Sequence, residues 1–307
     1  MKKRLVLIDG NSLLHRAYHA YPGLRTSTGE LVNAVYGFTS ILLNNLFYLK
    51  PSHVIVTWDV REKTFRHKEY PEYKAGRPPM DQELVDQIGL TKEMVKRMNI
   101  PQFEKAGYEA DDLIGTLSKQ AIEKGEQKTE VIIVTGDRDA LQLIEGDRVK
   151  VCMPSRGRNN NGGQEVFDEK SVELKYGMKP EQMIDLKGLM GDASDNIKGV
   201  RGVGQVTATK LIQAKGTINK VYEELDDLPV SERIKTLLRE GEEDARKSRM
   251  LVTIDRKVPI ELKWKECRLS DYDKKEVMEL LEKLEFKSLV AKLPNDDWER
   301  EAEEVFL

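Results

Sequence analysis

Residues 131–139 read Val131-Ile132-Ile133-Val134-Thr135-Gly136-Asp137-Arg138-Asp139, a run of four branched apolar residues that ends in a short turn carrying two aspartates. An apolar run without polar alternation suits a strand buried on both faces. Two more stretches have the same form: Arg4-Leu5-Val6-Leu7-Ile8 leads into Asp9, and His53-Val54-Ile55-Val56-Thr57-Trp58 leads into Asp59. Helical patterns lie between them, at Ser12 to Tyr21, Ala34 to Leu49 and Asp111 to Lys124. Strands separated by helices predict an α/β fold, a parallel twisted sheet flanked by helices. Ligand sites of such sheets lie beyond the carboxyl ends of the strands. All three strands deliver aspartate there.

Outward from this frame, residues 61–98 form a long insertion between the second strand and the next helix. From Arg61 to Met80 it holds six basic residues (Arg61, Lys63, Arg66, Lys68, Lys74, Arg77) and three acidic ones (Glu62, Glu69, Glu72). Phe65, Tyr70 and Tyr73 are interleaved. Asp81 to Met98 then reads as an amphipathic helix. Long insertions over a site are commonly lids or binding loops. If the basic stretch is helical, Lys74 and Arg77, three residues apart, share a face. Met153 to Gln164, with its Gly- and Asn-rich centre, reads as a flexible hairpin tip. Thereafter the chain is helical to about Lys292. The expected division is an α/β domain over 1–189, a helical domain over 190–294 and an acidic tail or linker over 295–307.

The chain has 307 residues and a net charge of −3, which looks unsuited to a polyanionic partner. Residues 295–307 alone carry −5, leaving +2 on the first 294. With nine carboxylates set aside for metal, the remaining surface is basic, the footprint of a nucleic-acid-binding protein around an acidic pocket. The charge alone fits an ordinary mixed surface equally well. Two isolated cysteines, Cys152 and Cys267, argue against a disulfide framework or zinc site and fit a reducing cytosol. The apolar run at the N-terminus is too short for a signal peptide or a membrane span, so a cytoplasmic protein without membrane contact is expected.

The nine carboxylates are Asp9, Asp59, Glu109, Asp111, Asp112, Asp137, Asp139, Asp192 and Asp195. Taken singly, Asp59 and Asp137 suit strand-end turns, and Glu109, Asp111 and Asp112 suit the start of a helix. Asp192 and Asp195 suit an Asx-turn. Taken together they form a set of hard oxygen ligands for two Mg²⁺ ions, with Mn²⁺ as substitute. Two such ions about 3.5–4 Å apart hold a scissile phosphate, activate water and neutralise the leaving oxygen. Downstream, Lys198-Gly199-Val200-Arg201-Gly202-Val203-Gly204 precedes a helix carrying Thr207 and Lys210. Glycines there allow close backbone approach, and the free N–H groups of the helix start can bind phosphate. A plain helix–helix turn is the alternative.

These residues carry a resemblance. Leu7-Ile8-Asp9-Gly10-Asn11-Ser12, Asn33-Ala34-Val35-Tyr36-Gly37-Phe38, Lys63-Thr64-Phe65-Arg66 and Tyr73-Lys74-Ala75-Gly76-Arg77-Pro78 come first. Gly107-Tyr108-Glu109-Ala110-Asp111-Asp112, Val134-Thr135-Gly136-Asp137-Arg138-Asp139 and Leu189-Met190-Gly191-Asp192-Ala193-Ser194-Asp195-Asn196 follow. In this order they resemble the 5′-to-3′ exonuclease domain of bacterial DNA polymerase I and its small stand-alone relatives, within the flap endonuclease family. The resemblance implies a PIN/flap-nuclease-like sheet, a helical arch at 61–98 and a C-terminal helical DNA-binding region with a helix-hairpin-helix element. It implies a structure-specific 5′-to-3′ exonuclease and 5′-flap endonuclease that leaves 5′-phosphate products, in primer removal, replication and repair. Asp59, Glu109 and Asp111 would serve one metal, with Asp9 helping through water, and Asp137, Asp139, Asp192 and Asp195 the second. Asp112 would lie in the outer shell.

In the same resemblance, Arg66, Lys74 and Arg77 match arch residues that steer the 5′ strand and neutralise the scissile phosphate. Tyr73 either stacks on a displaced base or packs within the arch. His15 and Arg16 would contact DNA. Gly199, Gly202 and Gly204, with Lys198, Arg201, Thr207 and Lys210, match the hairpin that grips the duplex and can hold K⁺. The implied partners are double-stranded DNA with a 5′ flap, nick or 5′ end, and a DNA polymerase domain in cis or in trans, the chain itself being a monomer. Four positions depart from the pattern. His15 stands where tyrosine is common, Lys198 and Arg201 where prolines are usual, and Ala140 where a larger apolar residue is usual. A catalytically silent branch-DNA-binding module would not need the acids. A metal-dependent ribonuclease would not need the arch and hairpin.

Overall fold

The computed structural model describes residues 3–21, 23–125, 129–154, 164–269 and 272–295. The expected hairpin tip (over 155–163) and the acidic tail from Asp296 lie outside the described residues. The strands are β1 (Arg4–Asp9), β2 (His53–Thr57), β3 (Gln102–Phe103), β4 (Glu130–Val134), β5 (Val149–Pro154) and β6 (Gln164–Phe167). They form one sheet in the order β3-β2-β1-β4-β5-β6. The first five run parallel and β6 pairs antiparallel with β5. The three strands expected from the sequence are thus the adjacent centre of the sheet.

Register explains why their acids meet. Ile8 of β1 lies level with Val56 of β2 and with Val134 of β4. Asp9, Asp59 and Asp137 therefore leave the sheet at one edge, within three residues of a common level. The chain runs outward from β1 through β2 to β3, then returns to place β4 on the other side of β1. The strand order reverses between β1 and β4, and crevices open at such switch points.

Helices α1 (Gly10–Ala20) and α2 (Asn33–Leu49) join β1 to β2, while α3 (Phe65–Glu69) and α4 (Gln82–Arg97) lie between β2 and β3. Helix α5 (Ala110–Lys124) leads into β4. Alternate residues of β1 serve opposite faces, as the period of two requires. Val6 and Ile8 join one core with α1, α2 and α4, and Leu5 and Leu7 join another with α5 and later helices. Gly10 is required by the first core, since a Cβ there would lie 2.5 Å from the Trp58 ring.

The remaining helices are α6 (Glu169–Tyr176), α7 (Met183–Met190), α8 (Gln205–Lys215), α9 (Ile218–Glu223), α10 (Glu232–Glu240), α11 (Glu242–Val252), α12 (Lys274–Lys283) and α13 (Lys287–Val290). Helices α7 and α11 pack together, with Arg249 Nε 2.6 Å from the buried Asp185 carboxylate. The last two helices return to the sheet. Val277, Leu281 and Leu289 pack into the core of α2, and the Phe286 ring lies 5.2 Å from that of Tyr36.

The basic insertion differs from expectation. Only Phe65–Glu69 is helical before α4, and Lys74 sits in a turn with φ of +56°. Lys74 and Arg77 therefore share no helix face. The stretch is tied down by backbone bonds instead: Lys74 N–H donates to the Asp195 carbonyl at 2.9 Å, and Asn196 Nδ2 donates to the Glu72 carbonyl at 2.7 Å.

Candidate active site at the strand ends

Eight of the nine expected acids line one cavity of about 690 Å³ over the switch point: Asp9, Asp59, Glu109, Asp111, Asp137, Asp139, Asp192 and Asp195. Each is anchored by its local structure. Asp9 ends β1 and caps α1, accepting from Ser12 N–H at 2.9 Å and from the Thr135 hydroxyl at 2.7 Å. Asp59 accepts from the Ala110 N–H at 2.7 Å, which ties the end of β2 to the start of α5. Glu109 is the N-cap of α5 and Asp111 lies in its first turn. Asp137 accepts from Asp139 N–H at 2.8 Å, and Asp192 from Ser194 N–H at 2.9 Å.

At the centre is Asp111, whose Oδ1 is buried and has no hydrogen-bond partner. Burial, then the charges of Asp9, Asp137, Asp59 and Asp139, push its carboxyl well above the usual range. Asp9 is raised to about 7, chiefly by burial, with Asp59 and Asp137 adding. Asp139 rises to about 6 through burial and Asp137, despite Lys187 beside it. Burial raises Asp59 as well. An all-oxygen donor set with a buried, unpartnered oxygen among mutually repelling carboxyls fits a hard divalent cation.

Three cations and one hydroxyl now partner this ring. Lys187 bonds Asp139 and lies 2.6 Å from Asp192. Burial works against ionisation of Asp192, yet the Lys187 ammonium and Ser194 hold it at about 2. Lys74 Nζ lies 2.9 Å from Glu109, Arg77 bonds Asp195, and the Tyr73 hydroxyl lies 3.1 Å from both Glu109 and Asp195. With these partners in place, no three of the acids, nor any other group of His, Cys, Asp or Glu among the described residues, gather around one point.

Packing corrects two expectations and selects one alternative of a third. Asp112 is fully buried away from the cavity, where Arg66, the Glu109 N–H and the Asp255 N–H occupy both of its oxygens. It has no lone-pair direction left for an outer-shell water. Arg66, expected in contact with the 5′ strand, is only 3% exposed and donates to the Leu251 and Thr253 carbonyls as well as to Asp112. Its one link to the ring is an approach of 3.7 Å to Glu109. Tyr73 is 4% exposed, so its ring has no free face for a base, and the packing alternative holds.

His15 lines the cavity, whereas Arg16 lies apart, in a cleft with Asn44 and Pro154. The turn after the second acid cluster is built on close approaches: a Cβ on Gly199 would meet Gly191 N at 2.2 Å. Gly204 caps α8 without a side chain. Lys198, Arg201, Gly202 and Lys210 are exposed around it and Thr207 is half-buried. Lys187, paired with Asp139 and Asp192 in the cavity, is a site residue that sequence reasoning missed. A lone lysine in a helix carries no motif, and its position between two acids is a tertiary fact.

A carboxylate ring at a switch point, edged by exposed basic residues, defines a hydrolase for phosphodiesters. The sequence comparisons agree. The 5′-3′ exonuclease N-terminal resolvase-like domain matches residues 4–177, and the 5′-3′ exonuclease C-terminal SAM fold matches residues 178–275. The chain belongs to the 5′-3′ exonuclease family, nucleases that hydrolyse DNA phosphodiester bonds. It is 40% identical over 301 residues to DNA polymerase I of Bacillus caldotenax, covering 98% of this chain and 33% of that protein. Identity to DNA polymerase I of Chloroflexus aurantiacus is 43% over 300 residues, 95% of this chain and 31% of that protein. The chain thus spans about a third of the length of these curated relatives.

Among solved structures, the bacteriophage T5 D15 flap endonuclease in a pseudo-enzyme-product complex with DNA and metal ions has a TM-score of 0.66. It is 21% identical, and the match covers 91% of this chain and all of that one. The catalytic core of Rad2 with DNA substrate has a TM-score of 0.57 at 16% identity, over 92% of this chain and 88% of that one. These likenesses establish the shared fold. Among the described residues no helix is long and apolar enough to cross a membrane.

Proposed function

We propose that this chain is a structure-specific 5′-to-3′ exonuclease and 5′-flap endonuclease that works with two Mg²⁺ ions, Mn²⁺ substituting. The observation that carries this reading is the unpartnered Asp111 oxygen within eight carboxylates at the switch point. Asp59, Glu109 and Asp111, with Asp9, would hold one ion, and Asp137, Asp139, Asp192 and Asp195 the other. Bound there, the ions polarise the phosphate, lower the pKa of a water and neutralise the leaving oxygen.

The chain's own groups do the rest. Thr135 and Ser12 orient the Asp9 carboxylate, and the α5 N-terminus orients Asp59, before any substrate arrives. Lys74, Arg77 and Lys187 line the same cavity and serve as counter-charges to the acids. When the acids take cations, these three groups are freed to donate to phosphate oxygens, the electrostatic role such a transition state needs. The N–H groups at the start of α8, with the exposed backbone of Gly202 and Gly204 and with Lys198, Arg201, Thr207 and Lys210, would grip the duplex backbone without reading sequence, with K⁺ held by carbonyls of the turn. Double-stranded DNA with a 5′ flap, nick or 5′ end is the substrate, and a polymerase domain in cis or in trans the natural partner of a monomeric nuclease. The division of labour follows: 1–189 carries most of the cleaving site, and 190–294 adds Asp192 and Asp195 to it and holds DNA.

Cleavage of end-labelled 5′-flap, nicked and single-stranded DNA, with Mg²⁺ and with excess chelator, tests the reading. Cleavage confined to substrates with a duplex and a free 5′ end, lost in chelator, is expected. Unchanged cleavage in chelator refutes the metal mechanism.

A further inference from the structure

Histidines 15 and 19 lie one turn apart on α1, and their Nε2 atoms face each other at 3.4 Å. Residues four apart on a helix stack on one face. The rings stand 4.6 Å apart between centroids and are tilted by 65°. In the metal-free protein the contact is a long ring-nitrogen hydrogen bond, with donor and acceptor set by the tautomers. The same spacing matches the roughly 3.3 Å that separates two nitrogens bound to one tetrahedral ion at about 2.0–2.1 Å each.

We propose that His15 and His19 form a two-imidazole site for a borderline divalent transition ion of the Zn²⁺ class, at the mouth of the cavity and distinct from the carboxylate ring. Imidazole nitrogens select Zn²⁺, Ni²⁺ or Cu²⁺, whereas the all-oxygen ring suits Mg²⁺ or Mn²⁺. The two sites therefore sort different metals. Among the described residues no third His, Cys, Asp or Glu closes the histidine site. Its remaining positions belong to water or to a phosphate oxygen of DNA entering the cavity that His15 lines. Both imidazoles are exposed and reachable from solvent. Burial and the neighbouring His19 hold His15 below its ordinary pKa, in the neutral form that binds metal. The carboxylate of Asp81 lies near enough to act on His15 and favours a cation there, while Arg77 opposes it. On the proposed nuclease reading, DNA entering the cavity that His15 lines would meet an ion at this place, so Zn²⁺ should inhibit cleavage by wild type in excess Mg²⁺. Zinc binding itself stands independently of that reading.

The test is Zn²⁺ titration by calorimetry in a large excess of Mg²⁺, which saturates the hard oxygen ligands, on wild type and on His19→Gln. His19 is exposed at the end of α1, and circular dichroism confirms that the variant folds. Wild type takes up one more equivalent of Zn²⁺ than His19→Gln, and its His15 and His19 ring signals shift in NMR spectra. Equal uptake and affinity in the two proteins, with unmoved ring signals, overturns the proposal and assigns zinc to the carboxylates alone. Mg²⁺-dependent cleavage without zinc is the same in both, so loss of the zinc site and failure of the nuclease reading are told apart.

Discussion

Arg66 and Asp112 form a two-pronged ion pair, NH1 and NH2 each 2.8 Å from a different carboxylate oxygen, with the two side chains 3% and 0% exposed. The pair joins the basic insertion to the first turn of α5, and the guanidinium also reaches the carbonyls at the end of α11. Removing one partner leaves a buried charge without compensation, which typically costs about 3–5 kcal/mol. Arg66→Ala should therefore lower the urea midpoint sharply. A DNA-contacting Arg66 would show the opposite pattern, weaker cleavage with an unchanged midpoint.

Lys187 acts as counter-ion to Asp139 and Asp192. In Lys187→Met the two carboxylates face each other without it, so the metal-free protein is destabilised and a divalent cation has more repulsion to relieve. The rise in melting temperature on adding Mg²⁺ should be larger in the variant than in wild type, because ligand that binds only the native state stabilises by linkage. An equal or smaller rise would remove Lys187 from the ring's charge balance.

Raised carboxyls make stability in chelator fall with increasing pH. Asp9 at about 7 and Asp139 at about 6 bind protons more tightly folded than unfolded. Their contribution is complete below the unfolded value of about 4 and is lost as pH climbs through 6 to 7. Asp192, held at about 2, acts in the other direction and only below pH of about 4. Thermal melts in chelator from pH 4 to 7 should show wild type losing stability relative to Asp9→Asn. Parallel curves would mean that Asp9 titrates normally.

The fold and the acids were legible for one reason: strand ends and turns are local. Val131 to Asp139 announces a buried strand and its acidic turn within nine residues, and the same holds at Asp9 and Asp59. What stayed hidden depends on distant partners. Arg66, Lys74 and Arg77 look alike as basic residues of one segment, yet burial separates Arg66 from the other two. Its partners Asp112 and Leu251 lie 46 and 185 residues away. Strand β3 is two residues long and carries too little pattern to be seen. The helix-face reading of Lys74 and Arg77 failed because the contact with Asp195 and Asn196 holds the stretch in turns.

Basic residues of the insertion and of the hairpin should separate kinetically. Lys74 lies 2.9 Å from Glu109 at the carboxylate cavity. If it donates to the scissile phosphate as proposed, its loss should cost about 100- to 1,000-fold in rate, as is typical for one electrostatic donor. Lys198 and Arg201 are exposed beside the Gly199 to Gly204 turn. Their alanine variants should weaken binding to all duplexes and shallow the salt dependence by roughly 0.9 log units per lost phosphate contact. Binding across a salt series in Ca²⁺ and single-turnover rates at saturating flap DNA distinguish them. A Lys74→Ala enzyme with weaker binding and an unchanged single-turnover rate would make the insertion a guide only.

The central claim is that the strand-end carboxylates hold catalytic cations, and Asp137→Ala addresses it most directly. The change removes an oxygen ligand from the cavity and no phosphate contact. Single-turnover cleavage of labelled 5′-flap DNA in Mg²⁺, with affinity for the same DNA measured in Ca²⁺, is the decisive measurement. The account predicts that cleavage disappears while affinity is kept or tightens as negative charge is lost. Turnover near that of wild type would contradict it and leave the acids a purely structural role.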